Sequence, residues 1–292
     1  MKTNSIYKTS LLTAALLLAA TSCVKDELHD TPHPDTGKIA VTADWNDRGE
    51  GVDIPAEWTV TMGDYTGTET GATHAPDYLF NPGDYTLAVC NTPEDITISG
   101  TTATVVQETG NGTFISNAPG WLFTSVQEVT IEADTDYYLT TTMHQQVRQL
   151  TLVIEPTGDA ADRIESIEGA LSGAAGTLDF ATGTYGAASD VVLHFTRITE
   201  GSDAGKWTAT VRLLGITGST QILTATLTYA DGNPADTGLE SDLTAALADF
   251  NADKTEPLTL GGTIAETPTE AGVEAGITDW EKIDGGGVDA EM

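Results

Sequence analysis

The sequence predicts an all-β fold, two tandem β-sandwiches with one or two short helices, and three observations carry that expectation. From Lys38 onward short runs alternate apolar with polar residues, the period of a half-buried strand. Glycine, at 30 of 292 residues, and abundant threonine favour turns and strands, because a β-branched side chain loses rotamer freedom in a helix. Turn signals punctuate the runs, as at Asn81-Pro82-Gly83, where proline fixes φ and glycine admits the positive φ that follows.

The amino terminus stands outside that fold. In residues 1–22, Lys2 and Lys8 precede an apolar run from Leu11 to Ala20, the length of a signal-peptide core, whereas a spanning helix needs roughly 20 residues. The run ends Ala20-Thr21-Ser22-Cys23, which resembles the lipobox of bacterial lipoproteins with Ala20 in place of the usual leucine. Cys23 is therefore expected to be acylated and to become the first mature residue; an ordinary secretory peptide cut near Ala20 is the alternative. Two or three acyl chains hold a protein to a bilayer almost irreversibly, whereas one is marginal. Lys25-Asp26-Glu27 follow at once and resemble a surface-export signal of Gram-negative lipoproteins, a solvated acidic tether being the plainer reading. Residues 23–37, with Pro32 and Pro34, form a polar spacer too poor in apolar groups to fold.

In the first expected sandwich, 38–144, Ile39, Val41, Ala43 and Trp45 share one face of a strand over 38–45, and Trp58, Val60 and Met62 share one over 57–66. Strands follow at 84–91, 95–99, 102–106, 121–131 and 137–143, with Gly100 as a hairpin turn between the second and third of these runs. The second sandwich, 145–284, begins with alternating Leu150, Leu152 and Ile154. It continues at 190–198, 206–214, 221–229, 258–264 and 277–283. Ser241 is placed to cap a helix whose Leu243, Leu247 and Phe250 recur at i, i+4 and i+7. Residues 159–166 read as a second short helix before a strand through Leu171, and 285–292 as a frayed tail.

Charge narrows the function. With 44 acidic and 12 basic residues the net charge is −32, which repels phosphate backbones and anionic headgroups, so nucleic acid is excluded as a partner. Loss of residues 1–22 removes Lys2 and Lys8 and no acid, giving −34 on the 270 mature residues.

Several motifs, taken in order, carry a family resemblance. They are Trp45 with Arg48-Gly49-Glu50-Gly51-Val52-Asp53-Ile54-Pro55, Asn81-Pro82-Gly83-Asp84-Tyr85 with Asn91-Thr92, and Pro119-Gly120-Trp121-Leu122-Phe123. Met143-His144-Gln145-Gln146-Val147-Arg148-Gln149-Leu150, Leu171-Ser172-Gly173, Val211-Arg212-Leu213-Leu214-Gly215, Phe250-Asn251-Ala252-Asp253-Lys254 and Asp279-Trp280 continue the series. Together they resemble the FimB-type fimbrial anchor family, lipoproteins of fimbrillin-type (type V) pili. The resemblance implies two transthyretin-like sandwiches and a surface lipoprotein held in the outer membrane through Cys23. It also implies partnership with pilin subunits by β-strand complementation, with no catalytic, cofactor or metal residue to carry over. Arg48 is a candidate cleavage point for a trypsin-like protease, against the plainer reading of a loop charge. The strand at 277–283 is a donor or acceptor candidate, against a closing strand of its own sandwich.

The sequence offers weaker support for other classes. His29, His33, His74, His144 and His194 show no metal-ligand spacing, and no nucleophile elbow, Walker loop or dinucleotide fingerprint occurs. The acids at 132–136 and 231–236 read as hairpin turns rather than calcium loops. Cys90, whose potential partner Cys23 is acylated, reads as a buried reduced thiol. The serious rival is a surface glycan-binding lipoprotein that uses Trp121, Trp207, Tyr137 and Tyr138 as a stacking platform, with Trp45, Trp58 and Trp280 in the core.

Overall fold

The computed structural model describes residues 35–108, 113–158, 161–232, 234–269 and 272–283. Its regular structure is β throughout; the helical pieces among the described residues are single 3-10 turns at Ala161–Arg163 and Ala230–Gly232.

The first half contributes β1 (Lys38–Asp44), β2 (Trp58–Met62), β3 (Tyr65–Glu69), β4 (Thr73–His74), β5 (Gly83–Cys90), β6 (Ile96–Ser99), β7 (Thr102–Val105), β8 (Phe123–Ile131), β9 (Asp136–Thr142) and β10 (His144–Gln145). Sheet β4-β1-β9 packs on sheet β10-β8-β5-β2-β3. The alternation that predicted the strands is the reason they pack. Ile39, Val41 and Ala43 of β1 meet Trp58, Val60, Met62, Leu87, Val89, Phe123 and Ile131 in one core, each such large side chain contributing about 1.5–3 kcal/mol by leaving water. β1 runs parallel to β9, Lys38 opposite Asp136 through Asp44 opposite Thr142. The single strand expected at 57–66 is instead a hairpin. Gly63, at φ 58°, turns the chain so that Trp58 pairs with Glu69 and Met62 with Tyr65.

The second half contributes β11 (Arg148–Thr157), β12 (Ile164–Ala175), β13 (Thr177–Asp179), β14 (Thr184–Tyr185), β15 (Ala188–His194), β16 (Thr196–Arg197), β17 (Trp207–Leu213), β18 (Ile222–Tyr229), β19 (Thr237–Asp242), β20 (Leu258–Thr269) and β21 (Gly272–Lys282). Sheets β16-β17-β11-β20-β21 and β15-β12-β18-β19 enclose a larger core around Leu150, Leu152, Ile167, Leu171, Leu223 and Leu260. A fifth sheet, β14-β13-β7-β6, joins the halves, with Thr104 of β7 opposite Thr177 of β13. Through it Ile96, Ala103, Val105, Ile115 and Leu122, all ahead of His144 in the chain, belong to the second core.

Both expected helices are corrected. Ser241 lies inside β19, and the Asp242 carboxylate takes the Thr244 N–H that a helix cap would need. The chain then leaves in successive turns, Leu247 N–H to Leu243 carbonyl and Phe250 N–H to Leu247 carbonyl, which still bury Leu243, Leu247 and Phe250. Residues 159 and 160 lie outside the described residues; after the turn at Ala161–Arg163 the chain enters β12 at Ile164.

Candidate functional site

Buried charge is concentrated where the two cores meet. Gln145, 5 % exposed, accepts the Gly49 N–H at its Oε1 (2.9 Å) and donates from Nε2 to the carbonyls of Val147 (2.9 Å) and Lys254 (2.6 Å). One carboxamide therefore ties the loop after β1 to the loop before β20. That approach requires glycine at 49, since a Cβ there would lie 2.5 Å from the Thr255 carbonyl oxygen.

Two cations complete the junction. Arg148 donates from Nε to the Glu256 carbonyl (2.7 Å) and from Nη1 to the Phe250 carbonyl (2.7 Å), with its guanidinium 5.2 Å over the Phe250 ring. Burial pulls its pKa down, and the nearby Asp253 and Glu256 charges oppose that. Lys254 Nζ donates to the carbonyls of Gln146 (3.0 Å) and Leu214 (3.1 Å) and to Gln146 Oε1 (3.2 Å), 5.1 Å over the Tyr185 ring. Burial pushes Lys254 down to about 8 and the Tyr185 hydroxyl up to about 12. Asn251 closes the arrangement, accepting from Ile216 N–H and donating to Ile216 carbonyl, both at 2.9 Å. The donors named here are spent on carbonyl or amide oxygens of the chain itself, which is what a mechanical clamp needs. The motifs around residues 143–150 and 250–254 thus hold the halves together. Their role was not read from the sequence, although two cations set between apolar strands in so acidic a chain were the available signal.

The remaining sequence-predicted residues fall in separate places. Cys23, Lys25, Asp26 and Glu27 lie outside the described residues. Arg48 is exposed and braces its own loop, donating to the carbonyls of Trp45 (2.7 Å) and Val52 (3.1 Å). Cys90 is half-buried and unpaired, and burial pushes its thiol up to about 11. His74 hydrogen-bonds Tyr65 Oη (2.7 Å), His144 pairs with Asp47 (2.5 Å) and His194 with Glu168 (3.1 Å), so the three stand apart. Asp134 and Asp231 adopt left-handed backbone, φ 53° and 60°, at turn positions.

The aromatic platform does not assemble as expected. Trp207 is only 5 % exposed and packs in the second core, which corrects its expected place. Trp121 is half-buried beneath Arg212, whose guanidinium is 5.5 Å above its ring, and Tyr137 accepts the Glu132 N–H. Tyr138 alone of the four stands out in solvent, 82 % exposed. Trp45 and Trp58 are in the first core, and Trp280 packs against the second. Residues 277–282 lie in β21, paired with β20.

Two all-β cores tied by a buried polar clamp make a multi-sheet β protein, an architecture shared with solved fimbrial and adhesin-like proteins. The family model of the fimbrillin-A associated anchor proteins Mfa1 and Mfa2 matches residues 60–284, and the chain belongs to that family. Comparison with curated proteins gives no match. Among solved structures, the fimbrial anchor protein Mfa2 from Porphyromonas gingivalis superposes with a TM-score of 0.58 at 14% identity, covering 82% of this chain and 95% of that one. A proposed adhesin from Bacteroides ovatus gives 0.57 at 17% identity, covering 87% and 96%. A proposed polysaccharide-binding protein from Bacteroides thetaiotaomicron gives 0.52 at 10% identity, covering 85% and 98%. At these identities the likeness is one of fold. The family is one of fimbrial anchor proteins, which puts the protein at the cell surface.

Proposed function

We propose that this protein is a lipid-anchored fimbrial anchor or assembly subunit, held in the outer membrane by acylated Cys23 and exported by Lys25-Asp26-Glu27. It pairs with pilin subunits by β-strand complementation. The observation that carries the reading is the anchor-family match over residues 60–284. The clamp of Gln145, Arg148 and Lys254 is consistent with it, because a fibre pulling on one core would load the other through those hydrogen bonds. Deleting the gene tests the role: an anchor predicts longer fimbriae or fimbriae shed into the medium, and unchanged surface fibres would remove the reading. A Cys23→Ala chain should appear in the medium instead of the membrane fraction. Polysaccharide that displaced bound pilin from the purified protein would favour sugar capture instead.

A further inference from the structure

We propose that the side of the first sandwich formed by β8 and β9 is where an extended strand of a pilin subunit pairs, a reading that rests on the proposed anchor role and gives it a location. β9 ends its sheet: all seven residues pair with β1 on one side, and no described strand pairs with it on the other. β8 lies across the sandwich from it, with Thr141 Oγ1 hydrogen-bonded to Ser125 Oγ. On its outer side β8 is covered only at Phe123 and Thr124, by the two-residue β10. Beyond them, from Ser125 to Ile131, no described strand pairs on that side. Two edges thus lie one over the other. A cavity of about 350 Å³ follows the β8 backbone from Thr124 to Glu128, with Phe180 among its walls.

These edges lack the usual protections. β9 contains no proline, lysine, glycine or bulge, the devices that blunt a free edge. Two other long edges carry contacts from neighbouring segments. β15 receives residues 113–117, through Ile115 N–H to Asp190 carbonyl and Asn117 Nδ2 to Val192 carbonyl, and β21 leans on β19 through Ser241. The inner face also ends incompletely here. Ile39 and Val41 of β1 are fully buried, but Tyr137 and Leu139 of β9 are half-buried, and Gln127 Nε2 of β8 is buried without a hydrogen-bond partner. A buried amide left unpaired costs free energy that an incoming carbonyl would recover.

The rim specifies the occupant. Glu128, Glu132 and Asp136 are exposed, and residues 123–142 contain no lysine or arginine. The complementary segment is a strand of about six or seven residues, as long as the edge it joins, with small or β-branched apolar side chains facing Leu139. Its outward positions would carry basic rather than acidic groups.

Hydrogen–deuterium exchange on the mature full chain tests this, with a purified fimbrillin-type pilin subunit from the same organism as the probe. In the free chain, alternate amides of 136–142 and the outer amides of 126–131 exchange fast, and pilin slows them at least tenfold while 148–154 is unchanged. Leu139→Lys should weaken pilin retention at least tenfold. Gln127→Leu, which removes the unpaired amide and leaves the melting temperature at or above the parent's, should weaken it several-fold. Retention with exchange over 126–142 unchanged would overturn the site and leave the anchor role standing. Slow exchange there in the free chain would mean that its own residues cover the edge, and would overturn the site as well. A parent chain that retains no pilin removes the anchor role and the site together.

Discussion

Lys254 shows how much a single side chain does in this protein. Its amine is buried among carbonyl oxygens, and the folded state holds its pKa at about 8 against an ordinary 10.5. As pH rises through 8 the folded chain releases a proton that the unfolded chain keeps until about 10.5, so the stability contributed by this group rises across that window. It is lost again as pH falls back through 8. Lys254→Met strands the carbonyls of Gln146 and Leu214, and should lower stability by about 1–3 kcal/mol. The gap between parent and variant should widen from pH 8 to 10 in thermal melts; a constant gap would count against the buried amine. Gly49 gives a second residue-scale expectation. Gly49→Ala forces a methyl group onto the Thr255 backbone and should cost about 1–3 kcal/mol. Gly51→Ala, at φ 76° in open space, should cost no more than about 1 kcal/mol, from backbone alone. Paired denaturant titrations give the order.

At the scale of elements, Ser241 explains both an error of prediction and a source of order. In sequence it is a cap residue before periodic leucines; in the structure its hydroxyl donates to the Ile277 carbonyl (3.0 Å) and accepts the Trp280 Nε1–H (2.9 Å), hooking β19 to β21. Ser241→Ala should destabilise the protein by about 1–2 kcal/mol for the two lost hydrogen bonds, and speed amide exchange in 277–282 more than in β11. Equal acceleration in both strands would show that the hook is not local. β19 was illegible because its inward residues are Thr237, Leu239 and Ser241, and two of the three are polar. β12 was illegible for a different reason. A register shift between Ile164 and Ser166 lets Ile164 and Ile167 both point inward, so their spacing of three imitates a helix. Strands without such interruptions, β1, β5, β11 and β18, declared themselves by simple alternation. The hairpin at Gly63 was hidden because alternation runs on through the turn.

The whole molecule is governed by where its charge and its second core lie. No Asp or Glu among the described residues is fully buried, so the acidity sits at the surface as self-repulsion. Raising salt from about 0.01 M to about 0.3 M shortens the Debye length several-fold and should raise the melting temperature; a flat response would mean the acids are too dispersed to interact. The division of the chain at His144, expected from the restart of alternation after it, meets a different constraint. Alternation reports which face of a strand is buried but not against which core, and 96–122 reads as an ordinary part of the first half. Yet Ile96, Ala103, Val105, Ile115 and Leu122 are buried with β11 and β12, and β7 pairs with β13. A fragment ending at 144 would expose those five apolar residues and lose Gln145, whose carboxamide accepts the Gly49 N–H. Expressed alone, residues 38–144 should therefore fail to unfold cooperatively and should bind a hydrophobic dye, and 145–283 should behave likewise for want of the same residues. Mixing the two fragments should restore a sharp transition. Either fragment melting by itself with a sharp transition near that of the full chain would show that the β6–β7 sheet is an accessory and that the cores stand independently.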